Sequence, residues 1–178
     1  MKFGLLFQLQ DPPHGDNLPR LYDEVFAEAE LAERVGFEAF FVPEHHQMPD
    51  GYLPAPLTFA AALAARTKQA EIGTGIIQLP LYHPLQVAEE VAVIDNLCKG
   101  RFILGAGLGL VQKEFDAFEI PLTEAASRFT EAVEILKHAW TGKPFSHSGR
   151  HLQFTDVTIT PTSTPSPTSR QPTASVTP

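Results

Sequence analysis

Four short apolar runs recur along the chain at a nearly constant interval. They are KFGLLF (2–7), EAFFV (38–42), EIGTGII (71–77) and RFILGAG (101–107), and they begin near residues 3, 39, 72 and 102. An interval of roughly 30–35 residues is what one strand plus one crossover helix requires. Each such crossover is right-handed and makes neighbouring strands parallel, with helices packed outside the sheet. The expected class is therefore α/β. Spacing alone leaves two architectures open, a doubly wound sheet and a piece of an eight-stranded barrel.

The intervening segments carry helical periodicity. Asp16 and Asn17 offer N-caps to a first helix whose apolar positions are Leu18, Leu21, Val25, Ala29 and Ala32, and Gly36 stops it just after Arg34. PLTFAAALAARTK (56–68) reads as an alanine-rich second helix. Pro84 suits the first turn of a third, with Val87, Val91, Ile94 and Cys98 on one face and Gly100 past its end. A last long helix spans about 123–140, with Phe129, Val133, Leu136 and Trp140 in register. PFSHSGRHLQF (144–154) reads as a small hairpin turning at Ser148-Gly149.

A chain of 178 residues with 43% hydrophobic content can bury one core. We expect one domain over 1–158 and a Ser/Thr/Pro-rich tail over 159–178, disordered because it has no apolar periodicity to offset its ordering entropy. The net charge of −8 comes without any Lys/Arg run, so no nucleic-acid partner is expected. Cys98 stands alone, which excludes an internal disulfide, fits a reducing compartment and reads as a buried, inert thiol. The opening MKFGLLFQLQDPP has too short an apolar stretch for a signal peptide, and no later run could span a bilayer. A cytoplasmic protein with no membrane partner is expected.

Chemistry in parallel strand–helix folds gathers at the carboxyl ends of strands. That selects Phe7-Gln8, Glu44-His45-His46, Gly75 to Gln78, and Gly105 to Gly109. Alternation along an extended segment sends Glu44 and His46 one way and His45 the other. Adjacent histidines chelate a metal poorly, so no metal is expected, although a zinc-type hydrolase using Glu44 and His46 is a conceivable alternative. One histidine acting as a base near neutral pH is the stronger reading. GAGLG (105–109) has Leu110 where a dinucleotide fingerprint needs glycine or alanine. It reads better as a strand end where a flat ring can approach the backbone. GTG (73–75) reads similarly, or as a packing glycine pair.

Three segments taken in order resemble the bacterial-luciferase-like flavin monooxygenases. They are GFEAFFVPEHHQMPDGYLPAPLTFAAALAARTK, EIGTGIIQLPLYHPLQVAEEVAVIDNLCKGRFILGAGLG and KEFDAFEIPLTEAASRFTEAVEILKHAW, and the likeness covers about residues 1–158. The resemblance implies a (β/α)8 TIM barrel that oxygenates a small-molecule substrate with O2 and reduced FMN, or uses a deazaflavin instead. It further implies a separate flavin reductase and a homodimer through the second and third barrel helices. By position, His45 matches the residue that supports flavin–oxygen chemistry as base or stabiliser. Gly75-Ile76 matches a cis peptide under the flavin ring, and Gly107 lies beside the reactive face. Gly75, Ile76, Gly105 and Gly107 are thus the expected cofactor-binding residues, while His46 and His83 match positions near the dimer interface.

Two departures accompany the likeness. Leu108 stands where many members carry an arginine for the flavin phosphate. Family barrels need about 250 residues, whereas this sequence offers four strand–helix units plus the hairpin. The expectation is a partial barrel, a truncated or frame-shifted product with impaired activity. The alternative is a non-catalytic half-barrel acting only as an assembly remnant.

Overall fold

A computed structural model describes residues 1–162. Its elements run β1 (Gly4–Leu6), α1 (Leu18–Arg34), β2 (Ala39–Val42), α2 (Pro56–Arg66), β3 (Glu71–Thr74), β4 (Ile77–Gln78) and α3 (Pro84–Leu97). They continue through β5 (Phe102–Ile103), β6 (Ala106–Gly107), α4 (Gln112–Ala117), α5 (Ala125–Ala139), β7 (Phe145–Ser148) and β8 (Gln153–Val157). The fold is α/β with a parallel sheet. Its four strands lie in the order β1-β2-β3-β5, and β4 and β6 form a second parallel pair. The hairpin expected near 144–154 is the antiparallel pair β7–β8, closed by a bond from Gly149 N to the Leu152 carbonyl.

Alternation sorts the strand side chains onto two faces. Leu5, Phe40, Ile72 and Phe102 stand in register on one face. Phe40 and Ile72 are fully buried there, in one cluster with Val25 and Ala29 of α1, Leu63 of α2, and Val87 and Val91 of α3. The opposite row is Leu6, Phe41, Gly73 and Ile103. Leu6 is 56% exposed on that side.

The third and fourth apolar runs each form two short strands instead of one. Between β3 and β4 the Gly75–Ile76 peptide is cis, as the family likeness implied. Between β5 and β6 lies Leu104-Gly105. The Thr74 hydroxyl ties the two breaks together, donating to the Gly105 carbonyl (2.7 Å) and accepting from Gly105 N (3.0 Å).

The helix faces follow the expected periodicity. Val25, Ala29 and Ala32 are buried in α1, and Val87, Val91 and Ile94 in α3, with Cys98 beside them. Gly36 has φ +99°, a value that suits a residue without a side chain at the end of α1. The start of α1 differs from expectation. Asn17 makes no side-chain cap; its N–H donates to Asp11 Oδ2 at 2.7 Å, so the preceding loop does the capping. The last long helix begins as a 3₁₀ turn at 122–124 before α5 proper. Ile159 is buried in the core and the Thr162 carbonyl accepts from Asn96 Nδ2. The disorder expected for the tail falls, past Thr162, outside the described residues. Among those residues no helix is long and apolar enough to cross a membrane.

Candidate active site

The chain leaves β2 through Pro43 into Glu44-His45-His46, and alternation separates the three as expected. Glu44 and His46 turn inward together, with His46 Nε2 2.5 Å from Glu44 Oε1. Glu44 also accepts from the Tyr82 hydroxyl (2.9 Å) and from Gln78 N (2.7 Å). Burial, and then the neighbouring Glu44 charge, push the Tyr82 hydroxyl far above its ordinary range, so it remains a donor. Phe118 packs edge-on against the His46 ring at 4.7 Å.

His45 turns the other way and meets a different carboxylate. Its Nδ1 lies 3.1 Å from Glu114 Oε1, an atom that also accepts from His46 N at 2.9 Å. Gln78 Nε2 donates to Glu114 Oε2. Burial alone pushes the Glu114 carboxyl up. The donors from His46 N, Gln78 and His45 outweigh it and hold the group below the ordinary glutamate range. The His45 side chain is 44% exposed, against 10% for His46. Tyr52 covers one side of the His45 ring, edge-on at 4.8 Å. The backbone beneath is pinned by His45 N to the Leu53 carbonyl and Leu53 N to the Leu9 carbonyl.

Gln78 links this network to the glycines. It is the last residue of β4 and lies in register with Gly107 of β6. A Cβ built on Gly107 would meet the tip of Ile76 at 3.0 Å, and one on Gly75 would meet Leu6 Cδ1 at 3.3 Å. Gly105 is different. A Cβ there would stand 2.0 Å from the Thr74 carbonyl oxygen, so close strand packing already accounts for that glycine.

Glu114, Gln78 and Tyr82 were not singled out by type from the sequence. Glu114 sits in α4, whose six residues are too few to show a period, and only its place beside the buried Phe115 marks it. His83 caps α3, accepting from Leu85 N at 3.3 Å. As for the metal alternative, both Glu44 oxygens already face donors, Tyr82 and His46 on one and Gln78 N on the other. Among the described residues no group of three or more His, Cys, Asp or Glu could hold a metal ion.

A cavity of about 390 Å³ borders the buried side of this network, lined by His46, Leu57, Tyr82, His83, Gln86 and Phe118. A larger one of about 570 Å³ separates α5 from the hairpin. Its Glu131 and His147 are already paired at 3.0 Å, and Glu131 also accepts from His151 N and Leu152 N. The polar groups there tie the hairpin down. The open side of the network is the strand-end rim, where the His45 side chain reaches solvent.

The luciferase-like monooxygenase family model matches residues 1–175. The oxygenase component of the flavin-dependent trigonelline monooxygenase of Acinetobacter baylyi is 31% identical over 164 residues, covering 90% of this chain and 45% of that protein. The crystal structure of monooxygenase RslO1 from Streptomyces bottropensis matches with a TM-score of 0.87 and 33% identity, over 99% of this chain and 52% of that one. The oxygenating constituent of 3,6-diketocamphane monooxygenase from Pseudomonas putida, solved with FMN, shares the fold. It matches with a TM-score of 0.79 at 24% identity, over 86% of this chain and 43% of that one. The chain thus spans about half the length of the relatives it matches. A parallel strand–helix frame and a family match over nearly the full sequence lead to one assignment: the chain belongs to the luciferase-like monooxygenase family.

Proposed function

We propose that the chain supplies the first half of a (β/α)8 barrel and, with it, the ring-binding rim of a flavin-dependent monooxygenase. Residues 1–158 form the domain, with Ile159 packed beneath it. The observation that carries the reading is the convergence at the strand ends. Gln78, in register with Gly107, bonds both to Glu44 beside His46 and to Glu114 beside His45.

These residues suit the ring end of a flavin. Gly75 and Gly107 leave backbone bare beside Ile76, and the half-exposed Leu6 offers an apolar contact. Leu108 brings no charge to a phosphate. Reduced flavin, when bound, supplies the electrons that reduce O2, one oxygen atom going to the substrate and the other leaving as water. His45 handles a proton at its outward ring nitrogen, and Glu44 and Glu114 hold the doublet in place. Gly75, Ile76 and Gly107 are the proposed ring contacts, and Gly105 keeps the strands close enough to present them. FMN is the proposed cofactor, because the fold relative from Pseudomonas putida was solved with it; a deazaflavin is the alternative. The substrate class is a small organic molecule, with a separate reductase supplying reduced flavin in the cytoplasm. Pairing of two copies through α2 and α3 completes the proposal.

The rival is a half-barrel that only assembles, favoured by the open β1 and β5 edges. Anaerobic titration of the 178-residue chain with reduced FMN and with a reduced deazaflavin, beside sedimentation, separates them. Weak, saturable binding by a discrete dimer is expected. An assembled species that binds neither compound supports the rival, and a tight one-to-one complex with a monomer overturns the proposed pairing of two half-barrels.

A further inference from the structure

The two adjacent histidines meet two different acceptors, and this determines where their protons sit. A neutral imidazole carries one N–H, and which nitrogen bears it follows from the partner of the other. Glu114 is an ionised carboxylate with no proton to give, so across the 3.1 Å contact His45 Nδ1 must be the donor. Its Nε2 is then a bare lone pair, and no described residue hydrogen-bonds it. His46 has the reverse arrangement. Its Nε2 faces Glu44 at 2.5 Å, and the Tyr82 hydroxyl and Gln78 N donate to the same carboxylate. His46 therefore carries its proton on Nε2, buried and engaged.

Glu114 is itself held in place. Its Oε1 is shared with His46 N, and its Oε2 takes Gln78 Nε2. Gln78 Oε1 is buried with no partner, which shows what sets the amide's orientation. Turning the amide over would aim that oxygen at the Glu114 carboxylate. A strand residue with its main chain on one carboxylate and its side chain on the other thus holds both at a set separation.

We propose that Glu114 is a positioning residue that holds His45 in the Nδ1–H tautomer, so that Nε2 is the proton acceptor presented at the strand-end rim. This rests on the reading of His45 as the proton-handling group. It adds that the neighbouring His46, in the opposite tautomer, is structural.

The test is a long-range ¹H–¹⁵N spectrum of the labelled, ligand-free 178-residue chain at a pH where the imidazoles are neutral, with His45 assigned by its loss in H45Q. The expected spectrum gives His45 a protonated Nδ1 and a bare Nε2, and gives His46 the reverse. In E114Q the new amide can either donate or accept, so His45 shifts to a mixed or inverted tautomer while His46 stays as it was. E114D restores the Nδ1–H form. A wild-type His45 protonated on Nε2, or a folded E114Q with His45 unchanged, overturns the proposal. Should E114Q fail to fold, the wild-type chain decides alone: an exchange-protected Nδ1–H proton on His45 supports the assignment, and its absence refutes it. Because the spectrum needs no flavin, a failed flavin titration sinks the functional reading and leaves the tautomer assignment standing, whereas a wrong tautomer overturns the positioning role of Glu114 and leaves flavin binding untouched.

Discussion

Gly105 and Gly107 are two residues apart and do different work. The atom nearest a Cβ on Gly105 is the Thr74 carbonyl oxygen, part of a backbone that cannot swing aside. Gly105→Ala is expected to cost about 3 kcal/mol, at the upper end for overpacking, read as a lower denaturant midpoint. The neighbour of Gly107 is the outer part of the Ile76 side chain, which can give by a few tenths of an ångström where backbone cannot. Gly107→Ala is expected to cost under about 1 kcal/mol. Equal losses in the two variants would contradict this division of roles. The sequence made both glycines visible as strand-end candidates and could not tell them apart, because the atom that decides lies some thirty residues away. The histidine doublet shows the same limit. Its opposite orientations were legible from alternation, whereas the identity of its partners was not. Glu44 is a neighbour in sequence, but Glu114 and Gln78 reach the doublet only through the fold.

Glu33, in the last turn of α1, secures the connection from α2 to β3. Its carboxylate accepts from Lys68 N (3.0 Å), Gln69 N (2.7 Å) and Ala70 N (2.8 Å), while Arg101 binds the Thr67 and Ala70 carbonyls of the same loop. Burial pushes the Glu33 carboxyl up, but the three amides outweigh it and lower the group; Glu114 and Glu131 are lowered likewise. A carboxyl lowered by folding stabilises the native state above its ordinary value of 4.5. That stability is lost as the pH falls through the folded value. Thermal melts are therefore expected to hold steady above about pH 5 and to drop below it. Glu33→Gln should lose roughly 1 kcal/mol at neutral pH, since the site is only half-buried, and show a shallower acid decline. An unchanged acid slope would remove Glu33 from the account. The helices that carry these groups were readable because their apolar steps of three and four residues cover three turns or more. The short α4 was not, and the splitting of two strand runs at Gly75 and Gly105 leaves no trace in hydrophobicity.

The sheet as a body has one covered face and one open one. Leu6, exposed, and Phe41 and Ile103, half-buried, form an apolar row on the less covered side, and β1 and β5 are its edge strands. Exposed apolar rows beside unpaired strand edges promote association. Beyond the proposed dimer, the 178-residue chain is accordingly expected to form larger species as its concentration rises, and Leu6→Lys to return it to the dimer. Sedimentation velocity that shows the same profile for both proteins would argue that the row is not what drives assembly. Glu114 also imposes a timetable on synthesis. The ribosome releases His45 a full 69 residues before the carboxylate that orients it. A nascent chain that has passed its second strand and the doublet after it carries both histidines, yet only Glu44 is there to meet them. The proposed proton acceptor at His45 is therefore set only once α4 has emerged and docked, so translation delays the proposed chemistry until the scaffold around it stands.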